Sequence, residues 1–188
     1  MTKLSIMILT TPDRQFYYEK LIFKLEWLRK QLANPNDVQI LTAPQEQPIT
    51  IGWKRNWCVD HALGTAIAFI DSDDDITDYY LKKGLEFVDS GMDCASLVGL
   101  YFANGKFDRP FVHKLSIKVW SQDDKYYWRS INHLNFVKRD LVKHIRYQEK
   151  NFGEDGCWSE DVVKENVLQT EFEIKETLYL YYEGKKLF

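Results

Sequence analysis

Ala66-Ile67-Ala68-Phe69-Ile70-Asp71-Ser72-Asp73-Asp74-Asp75 is the stretch that decides the fold of this chain. Its first five residues are apolar without alternation, which predicts a short strand covered on both faces, as in a parallel sheet flanked by helices. The run ends abruptly in acidic residues. Asp71 and Asp73 therefore fall at the carboxyl edge of the sheet, where open α/β sheets bind ligands. A single residue separates them, so two hard oxygen donors stay close as the chain turns. That pair suits Mg2+ or Mn2+, with the remaining metal positions taken by diphosphate oxygens and water. The plainer alternative is a solvated acidic turn. In either reading Asp74 and Asp75 act as helix cap and helix-dipole partners.

Working outward, the same alternation of strand and helix repeats. Leu4 to Leu9 reads as a buried strand. Thr11, Pro12 and Asp13 then start a helix as N-cap, first position and first-turn acid, and the helix runs to about Leu32. Asn34-Pro35-Asn36 stops it, Val38 to Leu41 is a second strand, and Ala43 to Pro48 is a polar loop. A second helix begins at Thr50 or Ile51 and ends at Gly64 as a C-terminal cap. A third covers about Thr77 to Ser90. Residues 1–92 thus predict a Rossmann-type, mostly parallel sheet between helices, with right-handed crossovers.

The second half changes character. Cys94 to Phe102 reads as a strand, with Asn104-Gly105 as a hairpin turn into Lys106-Phe107. Leu115 to Trp120 and Lys125 to Trp128 suggest further strands. Val137 to Ile145 reads as a short helix, Gly153 to Val167 as a loop leading into another helix, and Glu171 to Tyr182 as a last strand. The expectation is one α/β domain over 1–188. Residues 1–92 would form a nucleotide-binding half and 93–188 a smaller mixed-sheet half that shapes an acceptor pocket.

Composition narrows the function. The 188 residues carry a net charge of −3, which gives no electrostatic case for nucleic acid as a partner. Three cysteines without a C-x-x-C pair indicate reduced core thiols rather than a disulfide framework or zinc knuckle. With no apolar stretch of spanning length and no signal-peptide pattern, the expectation is a soluble, cytoplasmic protein. An EF-hand is excluded, because the sixth and twelfth positions from Asp71 are Ile76 and Lys82. A haloacid-dehalogenase-type phosphatase also places D-x-D after an apolar strand, with the first Asp as nucleophile. It usually does so after the first strand, whereas here the motif follows the third.

Gly52-Trp-Lys-Arg-Asn56, Ala62-Leu-Gly64 and Ala68-Phe-Ile-Asp-Ser-Asp-Asp74 together resemble the core signature of family 2 glycosyltransferases of the GT-A fold. The resemblance continues through Asn132-His-Leu-Asn135 and Lys138-Arg139 to Gly153-Glu-Asp155, covering about Leu4 to Trp158. It implies a metal-dependent, inverting, hexosyltransferase-like enzyme that takes a sugar from a nucleotide-diphosphate sugar, first of all a UDP-sugar. The acceptor would be a hydroxyl of a glycan, protein or other molecule. Under the same resemblance Thr10, Thr11, Arg14, Lys54, Arg55 and Asn56 lie near the nucleotide, and Asp71, Ser72 and Asp73 hold ribose and metal. Glu154 and Asp155 form the catalytic pair, with Asp155 as the base. Two departures stand out. Leu41 to Glu46 contains no Asp to read uracil, and no histidine follows Asp155. His133 is the substitute third metal ligand, or else a structural histidine. A phosphatase and a non-catalytic nucleotide-sugar-binding module remain the alternatives. Trp120, Tyr126, Tyr127 and Trp128 read either as a sugar platform or as strand packing.

Overall fold

The structure is a computed structural model that describes residues 1–45 and 49–184. Of the polar loop expected over Ala43 to Pro48, residues 46–48 lie outside the described residues. The chain opens with β1 (Leu4–Leu9), a 3-10 turn (Pro12–Arg14), α1 (Gln15–Lys30), β2 (Val38–Thr42), α2 (Ile51–His61), β3 (Ala66–Asp71), β4 (Asp75–Ile76) and α3 (Tyr80–Ser90). It continues with β5 (Cys94–Ala95), β6 (Leu97–Ala103), β7 (Lys106–His113), β8 (Ser121–Gln122), β9 (Tyr127–Arg129) and β10 (Val137–Lys138). The last elements are α4 (Arg139–Val142), α5 (Glu154–Glu165), β11 (Glu171–Phe172) and β12 (Thr177–Glu183).

Two six-stranded mixed sheets result, ordered β11-β5-β10-β3-β1-β2 and β4-β12-β6-β7-β9-β8. In the first, β1 pairs in parallel with both β2 and β3. Its central strands are apolar on both faces, as their sequence predicts. Leu4, Ile6 and Ile8 of β1, with Ala66, Ala68 and Ile70 of β3, join one core layer; Met7, Leu9, Ile67 and Phe69 join the other. Strand alternation then carries Asp71 onto the face of Ile67 and Phe69, toward α2 and α5. Leu9 lies in register with Asp71, so the Thr10-Thr11 loop emerges beside the acidic turn.

Several local expectations give way to tertiary pairing. Val137 and Lys138, read as the start of a helix, form β10 and bridge β3 to β5 antiparallel; only Arg139–Val142 is helical. Expected strand Cys94 to Phe102 divides at Ser96, where the chain passes from the first sheet to the second. The strand expected over Leu115 to Trp120 is irregular instead. Asn104 and Gly105 make the expected hairpin turn, both with positive φ (50° and 78°). Helix α2 ends at His61, so Gly64 is not its cap. Gly64 instead permits a close crossing of β1, since a Cβ there would sit 2.5 Å from Ser5 N and 2.7 Å from Ala66 O. Among the described residues no helix is long and apolar enough to cross a membrane.

Gly52, the first residue of the α2 motif, has the same kind of reason. Its N–H donates to Lys150 O, and a Cβ would lie 1.8 Å from Gln148 O, so the start of α2 packs directly on the 148–150 backbone. Gly156 within α5 has open space around it. Gly52→Ala is expected to destabilise the fold by about 1–3 kcal/mol or more through overpacking. Gly156→Ala should be neutral or stabilising by up to about 1 kcal/mol, because it removes helix-interior glycine. Urea midpoints of the two variants decide the matter, and equal values would show that the 148–150 contact does not constrain α2.

Candidate active site

Helix α2 is unusual in burying polar residues: Lys54, Arg55 and Asn56 are all inside. Thr50 caps it, its hydroxyl accepting from Trp53 N–H at 3.1 Å. Arg55 is the centre of the site. Its Nε donates to Glu154 Oε1 at 3.0 Å and its Nη2 to Asp71 Oδ1 at 3.2 Å, while its guanidinium lies 4.9 Å from the Phe69 ring centroid. A cation at 4% exposure requires such partners, since an unpaired buried charge is costly. Burial acts against the Asp71 carboxylate, but the Arg55 guanidinium and His133 outweigh it and hold that carboxyl well below the usual range.

The acidic turn is stapled to the second sheet. Tyr179 Oη on β12 accepts from Asp71 N–H at 3.1 Å and donates to Asp74 Oδ2 at 2.9 Å, while Tyr182 N–H donates to Asp74 Oδ1 at 2.8 Å. Asp74 is therefore a buried anchor and not the helix cap expected of it; α3 begins only at Tyr80. Asp75 lies in β4 and accepts from Lys24. Burial, with Asp71 and Asp73 nearby, pushes the Asp74 carboxyl well above the usual range. Asp73 is more open and pairs with Arg14 at 2.7 Å.

The Asn-His-Leu-Asn segment is a self-bonded loop. Asn132 Oδ1 accepts from Leu134 N–H, and Asn135 Oδ1 accepts from both Asn132 N–H and His113 Nδ1–H. Burial drives His113 down to about 3, so it stays neutral. The loop sets His133 between two carboxylates, with Nε2 3.5 Å from Asp71 Oδ2 and Nδ1 3.7 Å from Asp155 Oδ2. Gly153 (φ 73°) turns the chain into α5, and Glu154 and Asp155 occupy its first turn, where the helix dipole favours carboxylates. They point to different surroundings: Glu154 is buried against Arg55, and Asp155 faces a cleft of about 280 Å³. Asp71, His133 and Asp155 line one side of that cleft; Tyr101, Phe111, Trp120, Tyr127, Arg129 and Tyr181 of the second half line the other.

The remaining residues assigned to the nucleotide by resemblance are placed as follows. Lys54 Nζ donates to Thr10 O at 3.3 Å beneath the β1 loop, and Thr11 O accepts from Arg14 N–H. Both ends of the Asn56 amide bond to the Tyr147 backbone at 2.9 Å, so Asn56 holds the 147 segment rather than facing the cleft. Ser72 is fully buried. Arg55 Nη1, Ser72 Oγ and His133 Nδ1 have no hydrogen-bond partner among the described residues. Buried polar atoms are nearly always bonded; these three lie near the end of β3, while Arg29 Nε, Tyr80 Oη and Arg139 Nε are unpaired elsewhere among the described residues. Tyr147, Tyr179 and His113 carry the site without belonging to any sequence motif. For Tyr179 the one available signal is its place in the apolar strand.

The resemblance implies a divalent metal, and the donor set can be tested against it. Among the described residues no three His, Cys, Asp or Glu side chains converge on a common point, so a cage made of protein alone does not fit. One or two carboxylates completed by phosphate oxygens and water do fit. Asp71 already meets Arg55 and His133, and Asp73, the more open of the two, meets Arg14, so a metal held by either carboxylate would share it with a cation.

The model of "Glycosyl transferase family 2" matches residues 25–159. The chain belongs to that family. The structure is similar to TarS 1-349 from S. aureus, with TM-score 0.61 at 15% identity, covering 96% of this chain and 60% of that one. TarS 1-349 in complex with UDP-GlcNAc gives 0.61 at 14%, covering 98% and 59%. A197 from STIV gives 0.52 at 13%, covering 97% and 87%. The chain thus spans about three fifths of the TarS fragment. No curated protein sequence matches it. At these identities the likeness shows the fold, which is GT-A-like.

The buried carboxyl at Asp74 makes a pH prediction. Its folded pKa lies above its ordinary 3.8, so the folded state holds the proton more tightly than the unfolded chain. Its contribution to stability is therefore complete below pH 3.8 and declines as pH rises through the folded value. Relative to Asp74→Asn, the wild type should lose stability between acid and neutral pH, as read by urea midpoints along a pH series. Parallel pH profiles for the two proteins would remove Asp74 as the titrating group.

Proposed function

We propose that this chain is a glycosyltransferase that moves a hexose from a nucleotide-diphosphate sugar, with UDP as the nucleotide, to an acceptor hydroxyl with inversion at the anomeric carbon. The observation that carries the reading is that Asp71, His133 and Asp155 line one cleft, with Arg55 paired to Asp71 behind it. Family membership supports the transfer chemistry and displaces the phosphatase reading. The TarS complexes with UDP-GlcNAc and with UDP support uridine as the base.

In this reading Arg14 and Lys54 stand on the phosphate side, where cationic side chains favour anions. Asp71 meets the ribose. Asp73 would hold Mn2+ or Mg2+, which when bound neutralises the charge that grows on the leaving diphosphate. Asp155, the more open of the α5 pair, is the base: it accepts the proton of the acceptor hydroxyl within hydrogen-bond reach. The hydroxyl oxygen forms a bond to the anomeric carbon, and the bond from that carbon to the diphosphate oxygen breaks. Its electron pair leaves with the nucleotide diphosphate. Attack from the face opposite the leaving group inverts the centre in one displacement. Glu154 acts through Arg55 as a positioning residue. His133 lies between the Asp71 and Asp155 carboxylates.

Two variants separate the roles. Asp155→Asn should retain UDP binding while transfer from UDP-sugars falls by about 10²–10⁴, the usual value of a positioned base. Undiminished turnover would take Asp155 out of the mechanism. UDP with Mn2+ should raise the melting temperature of the wild type by mass action. Asp73→Ala should abolish the Mn2+-dependent part of that rise. A rise of equal size in the variant would show that Asp73 does not hold the metal.

A further inference from the structure

The second sheet raises one arginine that the proposed transfer does not use. Six of the seven arginines have a carboxylate within ion-pair distance: Arg14 with Asp73, Arg29 with Glu26, Arg55 with Asp71 and Glu154, Arg109 with Asp108, Arg139 with Asp140, and Arg146 with Asp60. Arg129, at the end of β9, has no such partner among the described residues. It is also the one arginine among the described residues that lines the cleft, and it is partly withdrawn from water, which lowers its pKa.

Its position is held by groups that leave its charge uncompensated. The guanidinium lies 4.9 Å from the Trp120 centroid and 5.2 Å from that of Tyr127, and Nη1 donates to the carbonyls of Ser121 and Trp128, each at 3.0 Å. Stacking and two neutral acceptors orient a guanidinium without neutralising it. The Nε and Nη2 donors have no hydrogen-bond partner among the described residues, and neither is a buried orphan. A planar cation so fixed is prepared for an oxyanion, which it can meet with two parallel hydrogen bonds. A neutral sugar would be served as well by asparagine or glutamine, without the cost of holding an unpaired charge in a half-buried cleft.

We infer that Arg129 is an anion-recognition residue of the transfer cleft, and that one of the two reacting sugars carries a carboxylate or phosphate group that docks on it. This rests on the cleft being the sugar and acceptor site of the proposed transferase. The charge can enter on either side of the reaction: on the transferred sugar as a uronate, or on the acceptor as a phosphorylated or carboxylated saccharide. Arg129 then selects substrate rather than taking part in bond making, and the proton still goes to Asp155.

The test is binding, read by the fluorescence of Trp120 and its neighbours, with wild type, Arg129→Gln and Arg129→Lys. On the acceptor side, methyl glucuronide and glucose 6-phosphate are compared with methyl glucoside. On the donor side, UDP-glucuronate is compared with UDP-glucose. The wild type should favour the anionic member of at least one set by about tenfold, the worth of one charge-assisted hydrogen bond. Arg129→Gln should erase that preference, and Arg129→Lys, which keeps charge but not the fork, should retain part of it. Preference confined to the first set puts the anion on the acceptor; preference confined to the second puts it on the transferred sugar. Equal binding of charged and neutral members by the wild type, or a preference that survives in Arg129→Gln, overturns the inference. UDP alone is titrated alongside all three proteins. Failure of UDP to bind would sink the donor-site reading, while the anion preference would still be judged on its own saccharides.

Discussion

The ion-paired guanidinium of Arg55 joins three elements that are far apart in the chain. It belongs to α2, touches Asp71 at the end of β3, and is held by Glu154 at the start of α5. A buried cation of this kind is stable only with both carboxylates in place, because losing either leaves charge in a low-dielectric interior. Phe69 and Tyr147 enclose the same guanidinium, at 4.9 and 5.7 Å from their ring centroids. Through that one side chain the acidic strand end, α2 and the helix bearing the proposed base become a single unit. The partition of the Glu154-Asp155 pair follows: one carboxylate is consumed inside, and its neighbour is left to the cleft.

The second sheet supplies the other half of the geometry. Tyr179 and Tyr182 tie the acidic turn to β12, so that the loop after β3 cannot swing freely into solvent. β4, cut from that same turn, becomes the edge strand of the second sheet. The cleft thus has one wall from each sheet. Its polar wall is set by the first, through Asp71 and the His133 loop, and its aromatic wall by the second. Aromatic faces and a fixed cation opposite two carboxylates form an asymmetric pocket, with charge on both walls.

Much of this was legible along the chain because its signals are local. Apolar runs without alternation identify β1 and β3, and Asn104-Gly105 identifies its hairpin, whereas the loop read at Gly153 is already the entry to α5 at Glu154. The resemblance to family 2 glycosyltransferases, carried by the G…RN, D-x-D and E-D motifs, is what links Arg55, Asp71 and Asp155 along the chain. What failed were short segments whose conformation is set by partners. Val137-Lys138 is drawn into a strand because β3 and β5 leave a gap between them. Gly64 looked like a cap because nothing local reports that β1 crosses against it. Asp74 looked like a helix cap for the same reason: its partners, Tyr179 and Tyr182, lie more than a hundred positions away.

By itself, then, the sequence determined the class of fold and the family to which the chain belongs, since periodicity and motif spacing are properties of neighbours in the chain. Only the tertiary structure decided which member of each polar group is spent on holding the site and which is left to act. Asn56 is used up on Tyr147, Glu154 on Arg55 and Asp74 on β12, whereas Asp155 and Arg129 remain available to a substrate. Burial and pairing make that division. Both depend on contacts between residues distant in sequence, and no local pattern records them.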